Sequence, residues 1–160
     1  MTETLSLPET HDRATRYQAL IPQIKALIQD EDDLIASLAN TAAGLFQGLN
    51  VLWVGFYLVK HKELVLGPFQ GPIACTRIKQ HQGVCGQSWA QRKTLIVDNV
   101  DDFPGHIACS SASKSEIVVP IWVQNQVVGV LDIDSIHLND FSHTDQVALE
   151  DLNLTLSTKF

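Results

Sequence analysis

A change of hydrophobic period near residue 50 constrains this chain more than any other feature. Before it, apolar residues recur every three to four positions, at Tyr17, Leu20, Ile21, Ile24, Leu27 and Ile28 and again at Leu34, Ile35, Leu38, Ala42, Leu45 and Phe46. Such spacing lines one face of a helix, so two amphipathic helices are predicted. The acidic run 30–33 divides them and places negative charge at the start of the second, where the helix dipole favours it. From Val51 onward, aromatic and β-branched residues crowd together and the pattern becomes that of strands. Residues 51–59 and 63–66, separated by the polar turn Lys60-His61-Lys62, read as an antiparallel hairpin. Residues 116–123 and 127–134, joined through Gln124-Asn125-Gln126, read as a second. A closing helix starts at Ser142, with Asp145 three residues on in a capping-box pattern, and its apolar face is Ala148, Leu149, Leu152 and Leu156.

Between the hairpins the signal weakens. Residues 67–86 carry four Gly and two Pro and read as irregular; 86–92 suggests a short helix and 94–97 a short strand. Residues 98–114 are again loop-like. The order helix, helix, hairpin, long loops, hairpin, helix predicts an α+β fold: an antiparallel sheet with the terminal helices on one face. The other face is left to the loops, and loops of this length in a compact domain usually bind or cover something. With no repeat, linker or low-complexity stretch, 1–160 is expected to form a single domain. Its helices occupy 1–49, its sheet and functional loops 51–134, and its closing helix 142–158.

Charge and cysteine usage narrow the function. The formal net charge is −7 and no Lys/Arg cluster occurs, which argues against nucleic acid and anionic membrane surfaces as partners. The N-terminal stretch 1–8 is acidic and polar, unlike a secretory signal, and no apolar run reaches the roughly 18–20 residues that cross a bilayer. A cytoplasmic location is therefore expected. In a reducing compartment an odd set of three cysteines, Cys75, Cys85 and Cys109, does not read as a disulfide framework.

Chemistry concentrates in two places. In a strand over 127–135, Val128, Val130, Asp132 and Asp134 share one face, so two carboxylates point the same way at the end of an apolar strand. Like charges on a partly buried face are unfavourable unless a cation or a shared proton relieves them. Together with Glu116 on the neighbouring strand, they suggest a pocket that binds an ammonium group or holds a proton donor. The three cysteines all fall in the two long loops, where a role as core filler is a poor explanation and redox chemistry a better one. A zinc site using His81 and His106 is the competing reading. It lacks any C-x-x-C spacing, and His106 to Cys109 is a lone H-x-x-C.

Taken together, these contexts resemble a known family. Gly67-Pro-Phe-Gln-Gly-Pro-Ile-Ala-Cys75, Gly83-Val-Cys-Gly86, Gly105-His-Ile-Ala-Cys109, Ser115-Glu-Ile-Val118 and Gly129-Val-Leu-Asp-Ile-Asp-Ser135 resemble the free methionine-(R)-sulfoxide reductases. Those are GAF-domain enzymes with three cysteines at this spacing. The likeness covers nearly all of the chain and includes Trp53-Val-Gly-Phe-Tyr57.

The resemblance implies a dimeric GAF-like fold, with a six-stranded antiparallel sheet flanked by helices. By position, Cys109 matches the cysteine that attacks the sulfoxide, Cys75 the recycling partner and Cys85 the third cysteine. Glu116, Asp132 and Asp134 match the acidic residues of the substrate pocket, and Trp53 and Tyr57 its aromatic wall, although either aromatic alone also suits plain packing on a buried strand. The implied cycle needs no bound cofactor or metal. Cys109 becomes a sulfenic acid as a carboxylic acid protonates the leaving oxygen, Cys75 condenses with it to a disulfide, and thioredoxin, supplied from NADPH, reduces the disulfide. Two departures stand out: Ser110 follows the attacking cysteine where the family often has Asp, and Lys79-Gln-His-Gln82 differs from the commoner form. The alternative is a GAF module that senses a small ligand or redox state without turnover. A chain that ends at Phe160 with no effector segment weighs against it.

Overall fold

The computed structural model of the protein describes residues 4–160. Met1, Thr2 and Glu3, the first part of the stretch read for a targeting signal, lie outside the described residues. Two helices open the fold, α1 (Arg13–Ile28) and α2 (Leu34–Leu49). Each begins at an aspartate whose side chain accepts from a backbone N–H left free in the first turn, Asp12 from Thr15 at 2.8 Å and Asp33 from Ala36 at 2.8 Å. The last residue of the acidic run is thus a helix cap. The closing helix α4 (His143–Ser157) carries the expected capping box, with the Ser142 N–H donating to Asp145 Oδ2 at 2.8 Å.

Six antiparallel strands form one sheet in the order β3-β2-β1-β6-β5-β4. They are β1 (Trp53–Lys60), β2 (Glu63–Gln70), β3 (Arg77–Lys79), β4 (Leu95–Val97), β5 (Ser115–Val123) and β6 (Gln126–Ser135). Both hairpins turn on two residues with positive φ, His61-Lys62 and Gln124-Asn125, the backbone form that matches the twist of paired strands.

The stretch 67–86, expected to be irregular, is more ordered than its composition suggests. Strand β2 runs on to Gln70 because Gly67 and Pro68 fall in a bulge between the pairs Tyr57↔Leu66 and Gly55↔Phe69. A proline lacking an N–H is tolerated at such a bulge. Strand β3 follows, and the helix α3 (Gly83–Gln91) starts three residues before its expected position. Cys85 therefore lies in a helix and is buried, not on a loop.

Strand alternation sorts the core in two. Val54, Phe56, Leu58, Ile117, Val119, Ile121, Leu131 and Ile133 face α1, α2 and α4 and form the main core. Along α2 the inward face departs from the expected set: Ile35 is exposed, while Ser37, Thr41, Gly44 and Gly48 are buried. Gly48 lets Leu20 of α1 sit directly on the α2 backbone. Helices α1 and α4 are further tied by the Tyr17 hydroxyl, which donates to Asp145 Oδ1 at 2.8 Å, with Arg13 3.2 Å from the same oxygen. On the opposite face of the sheet, α3 and the segment 98–114 cover a smaller cluster that includes Trp53, Tyr57, Ile78, Val84, Cys85, Val118 and Val130. Among the described residues no helix is long and apolar enough to cross a membrane.

Candidate active site

The sheet register assembles the polar end of this second face. Glu116 of β5 pairs with Asp134 of β6, which pairs with Trp53 of β1, so three side chains stand in one cross-strand row. The next row on the same face is Val118, Asp132 and Gly55, and the one after it places Val130 against Tyr57. Gly55 leaves a gap that the Trp53 ring fills. A Cβ there would overlap that ring and come within 2.5 Å of Phe69 Cβ. The indole is held by its N–H, which donates to Pro72 O at 3.1 Å, and by stacking on Phe69 and Tyr57 at centroid distances of 5.3 and 6.0 Å. Gly71, at φ +127°, carries the chain past Trp53 where a side chain would strike both the indole and Leu52 O.

Two segments close over this floor. Residues 71–76 leave β2, and the Tyr57 hydroxyl donates to Cys75 O at 2.9 Å. The segment 98–114 forms the other half, its ends joined by Val100 N–H donating to Lys114 O at 2.9 Å. Lys114 N–H in turn donates to Ser135 O at 2.7 Å, which fixes the base of the segment to the end of β6. A disulfide between Cys75 and Cys109, with Cα atoms 5.6 Å apart, joins the two segments. Beneath it lies a small pocket with about 50 Å³ of room for water-sized groups. Trp53, Tyr57, Cys85, Glu116, Asp132 and Asp134 line it together with Cys109.

Its electrostatics are unusual. Glu116 and Asp132 are each 6% exposed, and burial pushes both well above the usual carboxyl range. Asp134 raises Glu116 further, and Glu116 and Asp134 do the same to Asp132. Asp134 is pushed by burial only to about 6, because a hydrogen bond from Ser113 and the nearby His106 pull it back. The Ser113 hydroxyl donates to Asp134 Oδ1 at 2.5 Å, and His106 Nε2 stands 3.7 Å from Glu116 Oε2. Three carboxyls this close cannot all ionise, so the group retains at least one proton near neutrality and can donate it. Asp132 Oδ1 is fully buried and has no hydrogen-bond partner among the described residues. An uncompensated buried acceptor of this kind is costly and is relieved by a ligand that donates.

Of the eight catalytic and substrate-binding residues expected from the sequence, seven line this pocket, and the eighth, Cys75, is in the disulfide above it. The thiols have separate settings. Cys109 is exposed and Cys75 half-buried, whereas Cys85 is 3% exposed in α3, and burial and the neighbouring Asp132 and Glu116 keep its thiol protonated. Cys85 Sγ and carboxylate oxygens of Glu116 and Asp132 all lie within 4.8 Å of one another. The competing zinc reading had the cysteines as ligands, with His81 and His106 as candidate additions. Instead two cysteines pair with each other, and His81 sits on an exposed turn before α3. Ser113, Gly55 and the place of His106 beside Glu116 were not foreseen. The β-register places Gly55 beside Asp132, whereas Ser113 and His106 lie in the covering segment outside the strands and carry no such signal.

Comparison with known proteins shows the family. The GAF domain model matches residues 33–158. GAF domain-containing protein A of Dictyostelium discoideum is 58% identical over 132 residues, covering 82% of this chain and 84% of that protein. The free methionine-R-sulfoxide reductase of Escherichia coli is 47% identical over 137 residues, covering 85% of this chain and 83% of its own. The X-ray structure of free methionine-R-sulfoxide reductase from Neisseria meningitidis, in complex with its substrate, superposes with a TM-score of 0.94 at 49% identity. That match covers 98% of this chain and 96% of the other. By fold and by sequence, the chain belongs to the GAF domain family, alongside the free methionine-R-sulfoxide reductases.

Proposed function

We propose that this protein reduces free methionine-(R)-sulfoxide to methionine. The observation that carries the proposal is the Cys75–Cys109 disulfide standing over a buried, partly protonated carboxyl cluster. The Cys109 thiolate attacks the sulfoxide sulfur while the proton held between Glu116 and Asp132 moves to the departing oxygen. The sulfoxide S–O bond breaks and its oxygen, now a hydroxyl, passes to the Cys109 sulfur as the transient bond between the two sulfurs breaks. Methionine thus leaves and Cys109 becomes a sulfenic acid. The Cys75 thiol then displaces hydroxide, which departs as water, and the disulfide forms. An external dithiol reduces it, so two thiol hydrogens and the sulfoxide oxygen end as water. Asp134, the most readily ionised of the three acids, together with the unpartnered Asp132 Oδ1, suits the substrate's α-ammonium. A peptide-bound sulfoxide lacks that charge. Trp53 and Tyr57 seat the methyl end. Cys85, buried and protonated, is a reserve thiol for recycling rather than the first partner. Thioredoxin, supplied from NADPH, is the proposed reductant, and the working unit is a cytoplasmic homodimer that binds no metal.

The test is turnover of the free R epimer with thioredoxin, its reductase and NADPH, run beside the S epimer and a peptide-bound sulfoxide. Turnover confined to the free R epimer is expected. Cys109→Ser abolishes even one turnover, whereas Cys75→Ser completes one and stalls. A normal first turnover in Cys109→Ser refutes the assignment, and binding without turnover in the intact reduced protein makes it a ligand-sensing module.

A further inference from the structure

We propose that Ser113 is a positioning residue that holds Asp134 as the anionic anchor for the substrate's ammonium group. The inference rests on the functional reading above and extends it to a residue outside the cysteine and carboxyl set.

Its hydroxyl donates to Asp134 Oδ1 at 2.5 Å, the only side-chain hydrogen bond Asp134 makes among the described residues. Ser113 is 6% exposed, so water does not compete effectively for that bond. The other groups facing Asp134 mostly work against its charge. Glu116 lies across the strand pair on β5, Asp132 two residues back on β6, Tyr57 on β1 and the Cys85 thiol on α3. Of these neighbours, His106 alone can bring positive charge, and it stands beside Glu116. A buried acid among acids keeps its proton unless a donor is committed to the ionised form. Ser113 is that donor.

Its place in the chain matters as much as its chemistry. Ser113 lies four residues after Cys109, in the covering segment, yet the adjacent Lys114 is fixed to the end of β6 by its N–H bond to Ser135 O. It stands at the anchored base of that segment and not at its tip. Cys109 can therefore swing between substrate and Cys75 while the Ser113–Asp134 bond stays in place. The anchor is set before the nucleophile arrives, and a seated substrate does not lose its grip when the thiol moves.

The experiment follows the Asp134 carboxyl carbon by NMR titration in the full-length oxidised protein, for wild type, Ser113→Ala and Ser113→Thr. Loss of the donor moves the midpoint up by about one pH unit, and Thr restores it. In steady-state assays, Ser113→Ala raises KM for free methionine-(R)-sulfoxide about fivefold at pH 6. The difference fades by pH 8, where Asp134 ionises without help, and kcat stays within about twofold. In an Asp134→Asn background the same change adds nothing. Ser113→Gly removes the same hydroxyl and takes the place of Ser113→Ala if that variant does not fold. An unmoved midpoint, or a KM loss equal at all pH values, overturns the role of Ser113 while leaving the reductase reading intact. A wild-type enzyme that ignores the free sulfoxide defeats the reading itself, and the anchor with it.

Discussion

Gly55→Ala tests whether the aromatic wall is as tightly built as its register implies. The added methyl overlaps the Trp53 ring, with Trp53 Cζ3 at 2.7 Å and Phe69 Cβ at 2.5 Å. Ordinary carbon contacts lie near 3.5–4.0 Å, so the ring or the strand must move on the order of 1 Å. The indole has few ways to yield, being stacked on both Phe69 and Tyr57 and hydrogen-bonded to Pro72 O. Overpacking of this kind costs about 1–3 kcal/mol, which for a chain of this length lowers Tm by about 3–10 °C. An ångström of displacement in a substrate wall costs about 100-fold in kcat/KM. The assay is a thermal melt with steady-state kinetics on the same preparation, using dithiothreitol as reductant. Gly129→Ala is the control. Its Cβ would press on Tyr57 O and Leu58, away from the pocket floor, so Tm falls while KM holds. Wild-type kinetics in Gly55→Ala would refute the placement of Trp53 against the substrate, and an unchanged Tm would refute the packing argument.

Three further outcomes are expected. Asp134 titrates near 6 in the fold against an ordinary 3.8, so the native state binds the extra proton between those values and loses stability as pH rises through them. Asp134→Asn should therefore raise Tm at pH 7 by removing a penalty of at most about 3 kcal/mol, flatten the pH dependence between 4 and 6, and cripple substrate use; a variant that unfolds would make the aspartate structural. The disulfide spans 34 residues of sequence, a loop whose closure stabilises by about 4 kcal/mol. Melting under reducing conditions should come about 10 °C lower, and coincident melts would mean the reduced covering segments hold their own structure. Tyr17→Phe removes a hydrogen bond to the buried Asp145 and should cost about 1.5–3 kcal/mol in a urea melt, without effect on KM.

Much of the site was legible because strand alternation is a strict rule. Asp132 and Asp134 had to share a face, and a hairpin of β5 and β6 had to bring Glu116 to one of them. The cap at Ser142 was equally direct, since its signal lies within four residues. Harder to read were the places where long-range packing overrules local signals. Gly67-Pro68 looks like a break but is a bulge, a fact that depends on its partner strand β1. Gly83 and Gly86 suggest a loop around Cys85, yet Gly86 is needed so that α3 can press against the backbone at Lys79. Ser113 carries no sequence signal of its role, because its partner lies 21 residues away and is reached only through the fold.

The two-faced sheet also dictates how this protein can change over time. On β1 the odd-numbered positions 53, 55 and 57 serve the pocket, while on β5 and β6 the even-numbered positions 116, 118, 130, 132 and 134 do so; their neighbours hold the helices. A complete mutational scan should therefore appear as stripes that alternate by parity, one set losing activity and the other losing expression. Substitution can explore either set alone. A single inserted or deleted residue cannot, because it would exchange the sets and drive Asp132 and Asp134 into the greasy side of the sheet. Length variation among the descendants of such a gene is thereby confined to segments such as 98–114, leaving the strands as a ruler whose spacing is inherited intact.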